Sequence, residues 1–173
     1  PYTATAHYNL GCLLQNVSRH REAIASFDLA LAAKPQYFEA TVNRGACFLA
    51  LEEARDALDC FDQALKIRPR EAGLWNNRGN AQMWLGQNEE AVESYDRAVA
   101  IKPNYSEAWG SRGNALLGLG RSEDALASYD KALAFSPGSA THWTNRGIAL
   151  YRLKRYADAI ANFDAALAID PHG

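Results

Sequence analysis

"WNNRGNAQMWLGQNEEAVESYDRAVAIKP" (75–103) has a close copy further along the chain in "WGSRGNALLGLGRSEDALASYDKALAFSP" (109–137). The two stretches share a tryptophan, an Arg-Gly pair, a glycine-marked break, an Ala…Tyr-Asp…Ala run and a closing proline. Worked outward, the same frame holds every proline of the chain: Pro1, Pro35, Pro69, Pro103, Pro137 and Pro171. The step from one proline to the next, position 1 to position 35 and so on, never varies. Gly11, Gly45, Gly79, Gly113 and Gly147 form a second column; Phe27, Phe61, Tyr95, Tyr129 and Phe163 form a third. Alanine fills two more, 23/57/91/125/159 and 30/64/98/132/166. Self-similarity at a fixed period of this length marks a tandem array. The frame divides residues 1–173 into five units, 4–37, 38–71, 72–105, 106–139 and 140–173, as one array.

Each unit reads as two helices. In the fourth, Trp109, Gly113, Leu116 and Leu117 fall at helical spacing before Gly118 and Gly120 interrupt the run. Ser122 is the expected N-cap of a second helix, with Glu123 and Asp124 in the first turn, where the helix dipole favours anions. Ala125, Tyr129, Ala132 and Leu133 make the second apolar stripe, and Pro137 ends the unit because it removes a backbone donor. The glycine is expected to face the alanines of its partner helix, with the aromatic beside them. A hairpin this small cannot bury its apolar face alone, so neighbours must stack into an all-α solenoid of about ten antiparallel helices.

Trp, Gly, Ala, Tyr/Phe, Ala and Pro in these columns resemble the tetratricopeptide repeat over essentially the whole chain. The resemblance implies a right-handed αα-superhelix. It also implies that the first helices line a concave groove holding a peptide or a partner's helix. Two columns depart from the family. Leucine before the glycine survives only as Leu10 and is replaced by Arg44, Arg78, Arg112 and Arg146. Aspartate follows every aromatic, as Asp28, Asp62, Asp96, Asp130 and Asp164. The interval from an aspartate to the next unit's arginine is the same at every junction, which predicts an inter-unit ladder: Asp28–Arg44, Asp62–Arg78, Asp96–Arg112 and Asp130–Arg146. Pairing within a unit, such as Arg44 with Asp62, is the competing geometry, and independently solvated charges are the third.

The candidate interaction surface is the groove. Two positions before each glycine stand Asn9, Asn43, Asn77, Ser111 and Asn145, with Asn80 and Asn114 one turn on. An amide donates and accepts, so such a row suits the backbone of an extended peptide; the plainer alternative is a tolerated helix-surface residue. Arrays resembling those of O-linked N-acetylglucosamine transferases and the peroxisomal import receptor use asparagines in this way. Leu49, Met83, Trp84, Leu117 and Tyr151 lie further along the first helices. Trp84 and Tyr151 are candidate anchors, or else simply cover helix junctions. Tyr8, Val42, Asn76, Gly110 and Thr144 fill the slot where relatives that grip chaperone C-termini place cations, which disfavours a co-chaperone role.

Other chemistry finds little support. The chain carries net charge −2, with 48% apolar and 22% charged residues, which argues against nucleic acid as the partner. No apolar run reaches membrane-spanning length. His7, His20, His142 and His172 lack ligand spacing with cysteines or carboxylates, so no metal or other cofactor is expected. "GNALLGLGRS" (113–122) lacks the Gly-Lys-Ser/Thr ending of a phosphate loop. Cys12, Cys47 and Cys60 read as buried thiols of a reducing, cytoplasmic setting. The expected function is therefore a non-catalytic scaffold binding a protein or peptide. The alternatives are the substrate-recognition arm of a larger enzyme, such as a bacterial glycosyltransferase, and a self-assembling structural module. Pro1 and "DPHG" (170–173) leave the frame open at both ends. The expectation is a piece of a longer array, or end-to-end self-association through the Ile160, Phe163 and Leu167 side.

Overall fold

The computed structural model describes residues 2–171; Pro1, His172 and Gly173, which the sequence assigns to the proline frame and the open ends, lie outside the described residues. The described residues form ten helices: α1 (Tyr2–Asn16), α2 (His20–Ala33), α3 (Phe38–Ala50), α4 (Ala54–Ile67), α5 (Ala72–Trp84), α6 (Asn88–Ile101), α7 (Ser106–Gly118), α8 (Ser122–Phe135), α9 (Ala140–Arg152) and α10 (Tyr156–Ile169). They fall into two compact units, 1–86 with α1–α5 and 87–173 with α6–α10. This is the all-α, paired-helix architecture that the repeat frame leads one to expect. Within each unit consecutive helices pack as hairpins, and neighbouring first helices also touch: α1 with α3, α3 with α5, and α7 with α9.

The turn inside each repeat is set by one backbone conformation. Its second residue is left-handed in all five repeats: Ser18, Glu52, Gly86, Gly120 and Lys154, with φ between 59° and 74°. Glycine adopts that conformation without cost, whereas a β-carbon meets the backbone there. The break expected from Gly118 and Gly120 is thus made at Gly120 alone, Gly118 being the last residue of α7. Ser122 is also corrected. It is the first residue of α8, Arg121 occupies the cap position, and no side chain caps the helix.

The glycine column works against the aromatic column rather than against alanines. A β-carbon on Gly113 would stand 2.5 Å from Tyr129 Cε1, and one on Gly11 2.5 Å from Phe27 Cε1; Gly45 and Gly147 meet Phe61 and Phe163 in the same way. The ring packs closely against the first helix, and Phe27, Phe61, Tyr95 and Tyr129 are fully buried. Burial of one such side chain is worth about 1.5–3 kcal/mol. In the first unit, Ala23, Phe27, Ala30, Ala40 and Cys47 form one core cluster, and Ala57, Phe61, Ala64, Leu74 and Ala81 the next.

The tryptophan and proline columns are also joined. Trp75, Trp109 and Trp143 each donate the indole N–H to the carbonyl of Pro69, Pro103 and Pro137 at 2.9 Å. Each bond pins the start of a first helix to the loop leading into it. On α10, Ile160 and Leu167 are exposed and Phe163 is half-buried. No helix among the described residues is long and apolar enough to cross a membrane.

Candidate functional site

The arginine column sits between adjacent hairpins. Arg44 Nη1 donates to Asp28 at 2.7 Å, Arg78 Nε to Asp62 at 2.7 Å, Arg112 Nε to Asp96 at 2.6 Å and Arg146 Nε to Asp130 at 2.7 Å. The arginine side chains are 20–25% exposed and the aspartates 42–54%, so the cation is the covered partner. Arg44, Arg112 and Arg146 also extend a second arm toward their own repeat. Arg44 Nε reaches Cys60 Sγ at 3.3 Å, Arg112 Nη1 reaches Ser128 Oγ at 2.7 Å and Arg146 Nη1 reaches Asn162 Oδ1 at 2.9 Å. The own-repeat partner is therefore this polar side chain and not the own-repeat aspartate. Burial pulls the Arg44 pKa down, but the bonds to Asp28 and Cys60 outweigh it and leave the guanidinium raised. Burial pushes the Cys60 thiol up, against the pull of Arg44.

The second arm was readable in the sequence and passes unnoticed there. Ser26, Cys60, Ser94, Ser128 and Asn162 form a short polar column two positions before the aspartates. Where the repeat has an arginine, the interval from it to this column is constant, as from 44 to 60 and from 112 to 128.

Asn43, Asn114 and Asn145 bridge neighbouring first helices, and most of the asparagines are already engaged within the protein. Asn43 Nδ2 lies 3.5 Å from Tyr8 Oη and 3.4 Å from Cys12 Sγ, a reach from α3 to α1. Asn145 Nδ2 donates to Asn114 Oδ1 at 3.0 Å, from α9 to α7. Asn114 Oδ1 also accepts from the buried Tyr129 hydroxyl at 2.7 Å, so this residue supports the core as well as the seam. Ser111 bonds the Tyr95 phenol, whose pKa burial raises. Asn80 is likewise engaged. Asn9 is exposed and Asn77 partly so.

The anchors differ in availability. Trp84, on the last residue of α5, is 61% exposed, and Tyr151, near the end of α9, is 63% exposed. Met83 and Leu49 are half-buried, whereas Leu117 is buried and lines no open surface. Arg152 Nη1 donates to the Leu117 carbonyl at 2.6 Å, which joins the ends of α9 and α7. The Tyr151 and Tyr156 rings lie 5.7 Å apart with planes tilted by 59°.

His142 fills the α7–α9 junction. Its ring occupies the space over Gly110, where a β-carbon would stand 2.4 Å from His142 Cε1, and its Nε2 lies 3.2 Å from Ser106 Oγ. Nδ1 is buried without a hydrogen-bond partner. Burial lowers the imidazole pKa from its usual 6.5, and the charge of Glu107 works in the opposite direction. No group of three His, Cys, Asp or Glu side chains among the described residues is placed to hold a metal. Cys12, Cys47 and Cys60 are free thiols, and burial raises the Cys47 pKa to about 11.

Comparison with known proteins agrees with this geometry. Four family profiles described as tetratricopeptide repeat match residues 4–37, 72–105, 94–127 and 111–173. No curated protein matches by sequence. Among solved structures, a MamA protein is 20% identical with a TM-score of 0.89, covering 98% of this chain and 92% of its own. A MamA fragment from Desulfovibrio magneticus RS-1 is 19% identical with a TM-score of 0.93, over 99% and 97%. YrrB, described as a TPR protein with an unusual peptide-binding site, is 26% identical with a TM-score of 0.79, over 96% and 86%. At such identities the MamA likenesses speak for the fold. Together, the repeat columns, the helical hairpins and the matched profiles show that this chain belongs to the tetratricopeptide repeat family.

Proposed function

We propose that the chain is a non-catalytic interaction scaffold that holds an extended segment of a protein partner along the seam of its first helices. The observation that carries this reading is the exposure of a large aromatic at the end of a first helix in each compact unit, Trp84 on α5 and Tyr151 on α9. Large aromatics held on rigid helices lose little entropy on binding and supply most of the energy of small interfaces. The exposure of Asn9 and the partial exposure of Asn77 support a role in reading a peptide backbone, since one amide offers both a donor and an acceptor. The peptide-binding site described for YrrB supports the same use of the fold. The repeat frame, unbroken in the sequence, supports one array through residues 1–173, and the free thiols support a reducing, intracellular setting.

Selection of a displayed random-peptide library on the whole chain tests the reading. Selected peptides should bind Asn77→Ala and Trp84→Ala about tenfold more weakly, a loss of about 1.4 kcal/mol. Unchanged affinity for both variants overturns the assignment. A second copy is the weaker candidate partner. Stacking that continues the frame onto the exposed Ile160 and Leu167 would set Leu10, and not an arginine, against Asp164.

A further inference from the structure

The turn between α9 and α10 departs from every other turn of the chain. Residues 151–156 read Tyr-Arg-Leu-Lys-Arg-Tyr, so three of the chain's 18 lysines and arginines fall within positions 152–155. In frame, the other turns read Asn-Val-Ser-Arg (16–19), Ala-Leu-Glu-Glu (50–53), Trp-Leu-Gly-Gln (84–87) and Gly-Leu-Gly-Arg (118–121). Arg155 recurs as Arg19 and Arg121, but the repeat fold needs neither the cations at 152 and 154 nor the tyrosines at 151 and 156, because four repeats fold the same turn without them. Tyr156 stands where the others have His20, Ala54, Asn88 and Ser122.

The helix ends call for only one of the charges, Arg152, which stands in the last turn of α9 where the dipole favours a cation. Lys154 and Arg155 lie at the N-terminal end of α10, where the helix dipole disfavours cations. Lys154 is exposed, left-handed at φ 60° and makes no ion pair among the described residues. Arg155 is neutralised in part by Asp158 at 2.6 Å, and Arg152 is held at the Leu117 carbonyl with its remaining donors at an exposed position. Beside them stand the Tyr151 and Tyr156 rings, 63% and 54% exposed.

We propose that Tyr151, Arg152, Lys154 and Tyr156 form a docking point for an acidic peptide segment carrying an aromatic or aliphatic side chain. The carboxylates of the segment meet the cations and its apolar side chain lies against the tyrosine pair. The proposal deepens the scaffold reading and rests on Tyr151 belonging to the interaction face. Two other anionic surfaces fit less well. Membrane recognition uses clusters of about 4–8 cations, and only three gather here. A chain of net charge −2 lacks the footprint of a nucleic-acid binder.

The test is fluorescence anisotropy on the whole chain with a short labelled peptide in which glutamates flank a tryptophan, against its glutamine counterpart. Phosphatidylserine vesicles and oligothymidylate serve as the other arms. Two variants import residues from repeats that fold: Lys154→Gly, as at Gly86 and Gly120, and Tyr156→Ser, as at Ser122. The acidic peptide should bind about tenfold more tightly than the glutamine peptide and weaken with salt; each variant should cost about threefold to tenfold in binding without lowering the melting temperature, Lys154→Gly raising it if anything because glycine suits the left-handed turn. Equal binding of the two peptides, indifference to Lys154→Gly, or binding of vesicles or oligothymidylate in place of the peptide overturns the proposal. Library peptides sensitive to Asn77→Ala but not to Lys154→Gly would retain the scaffold reading and remove this one. Acidic-peptide binding sensitive to Lys154→Gly, with no library peptide sensitive to Asn77→Ala or Trp84→Ala, would do the reverse.

Discussion

Arg146 Nε lies 2.7 Å from Asp130 Oδ1, and so ties α9 to the last helix of the preceding hairpin. The same guanidinium donates to Asn162 of its own repeat, and so a single side chain holds three helices in register. Arg112 does the same with Asp96 and Ser128.

The two partners of this bond should not be equivalent in a mutational test. The arginine is the covered member, and its removal leaves polar groups of two helices without their donor. Arg146→Ala should destabilise by about 1–3 kcal/mol. Asp130→Asn, on the half-exposed side, should cost about 0–1 kcal/mol. Thermal or urea unfolding compares the two, and a larger loss for Asp130→Asn would contradict the geometry.

The glycine column makes a sharper steric claim. Gly113→Ala drives a β-carbon to 2.5 Å from the Tyr129 ring and should cost about 1–3 kcal/mol. Gly73→Ala, in the first turn of α5 with open space around it, should be neutral or stabilise by up to about 1 kcal/mol. Equal melting temperatures for the two variants would refute the close approach of ring and helix.

His142 should make stability depend on pH. Its imidazole has a lowered pKa in the folded protein, so the unfolded chain binds the proton more readily between the two values. The contribution is fully present above the usual value of 6.5 and is lost as pH falls below it toward the folded value. His142→Gln should flatten that part of the stability curve, measured by denaturant unfolding across a pH series. A steeper curve for the variant would contradict burial of the neutral ring.

Much of this architecture is written in the sequence because a repeat repeats its physics. One proline phase and one glycine phase are enough to place ten helices. The arginine–aspartate pairs follow from two columns that depart from the family together. What escaped was contact chemistry that a column cannot display. The glycine meets Phe27 or Tyr129 at close range, a contact the two columns do not show by their spacing alone. Asn114, read as a groove residue, accepts the buried Tyr129 hydroxyl, a need that exists only where repeat aromatics are tyrosines. The turn cations at Arg152 and Lys154 escaped for the opposite reason: they belong to one repeat, and a search for period passes over what occurs once.

The central claim is that a partner lies along the first helices, and cross-linking addresses it most directly. A photoactivatable side chain placed at Asn77 or Asn145 should capture a peptide selected on the whole chain, while the same group at Glu93 or Glu123, exposed on the second helices α6 and α8, should not. Capture from Glu93 and Glu123 with none from Asn77 and Asn145 would contradict the account.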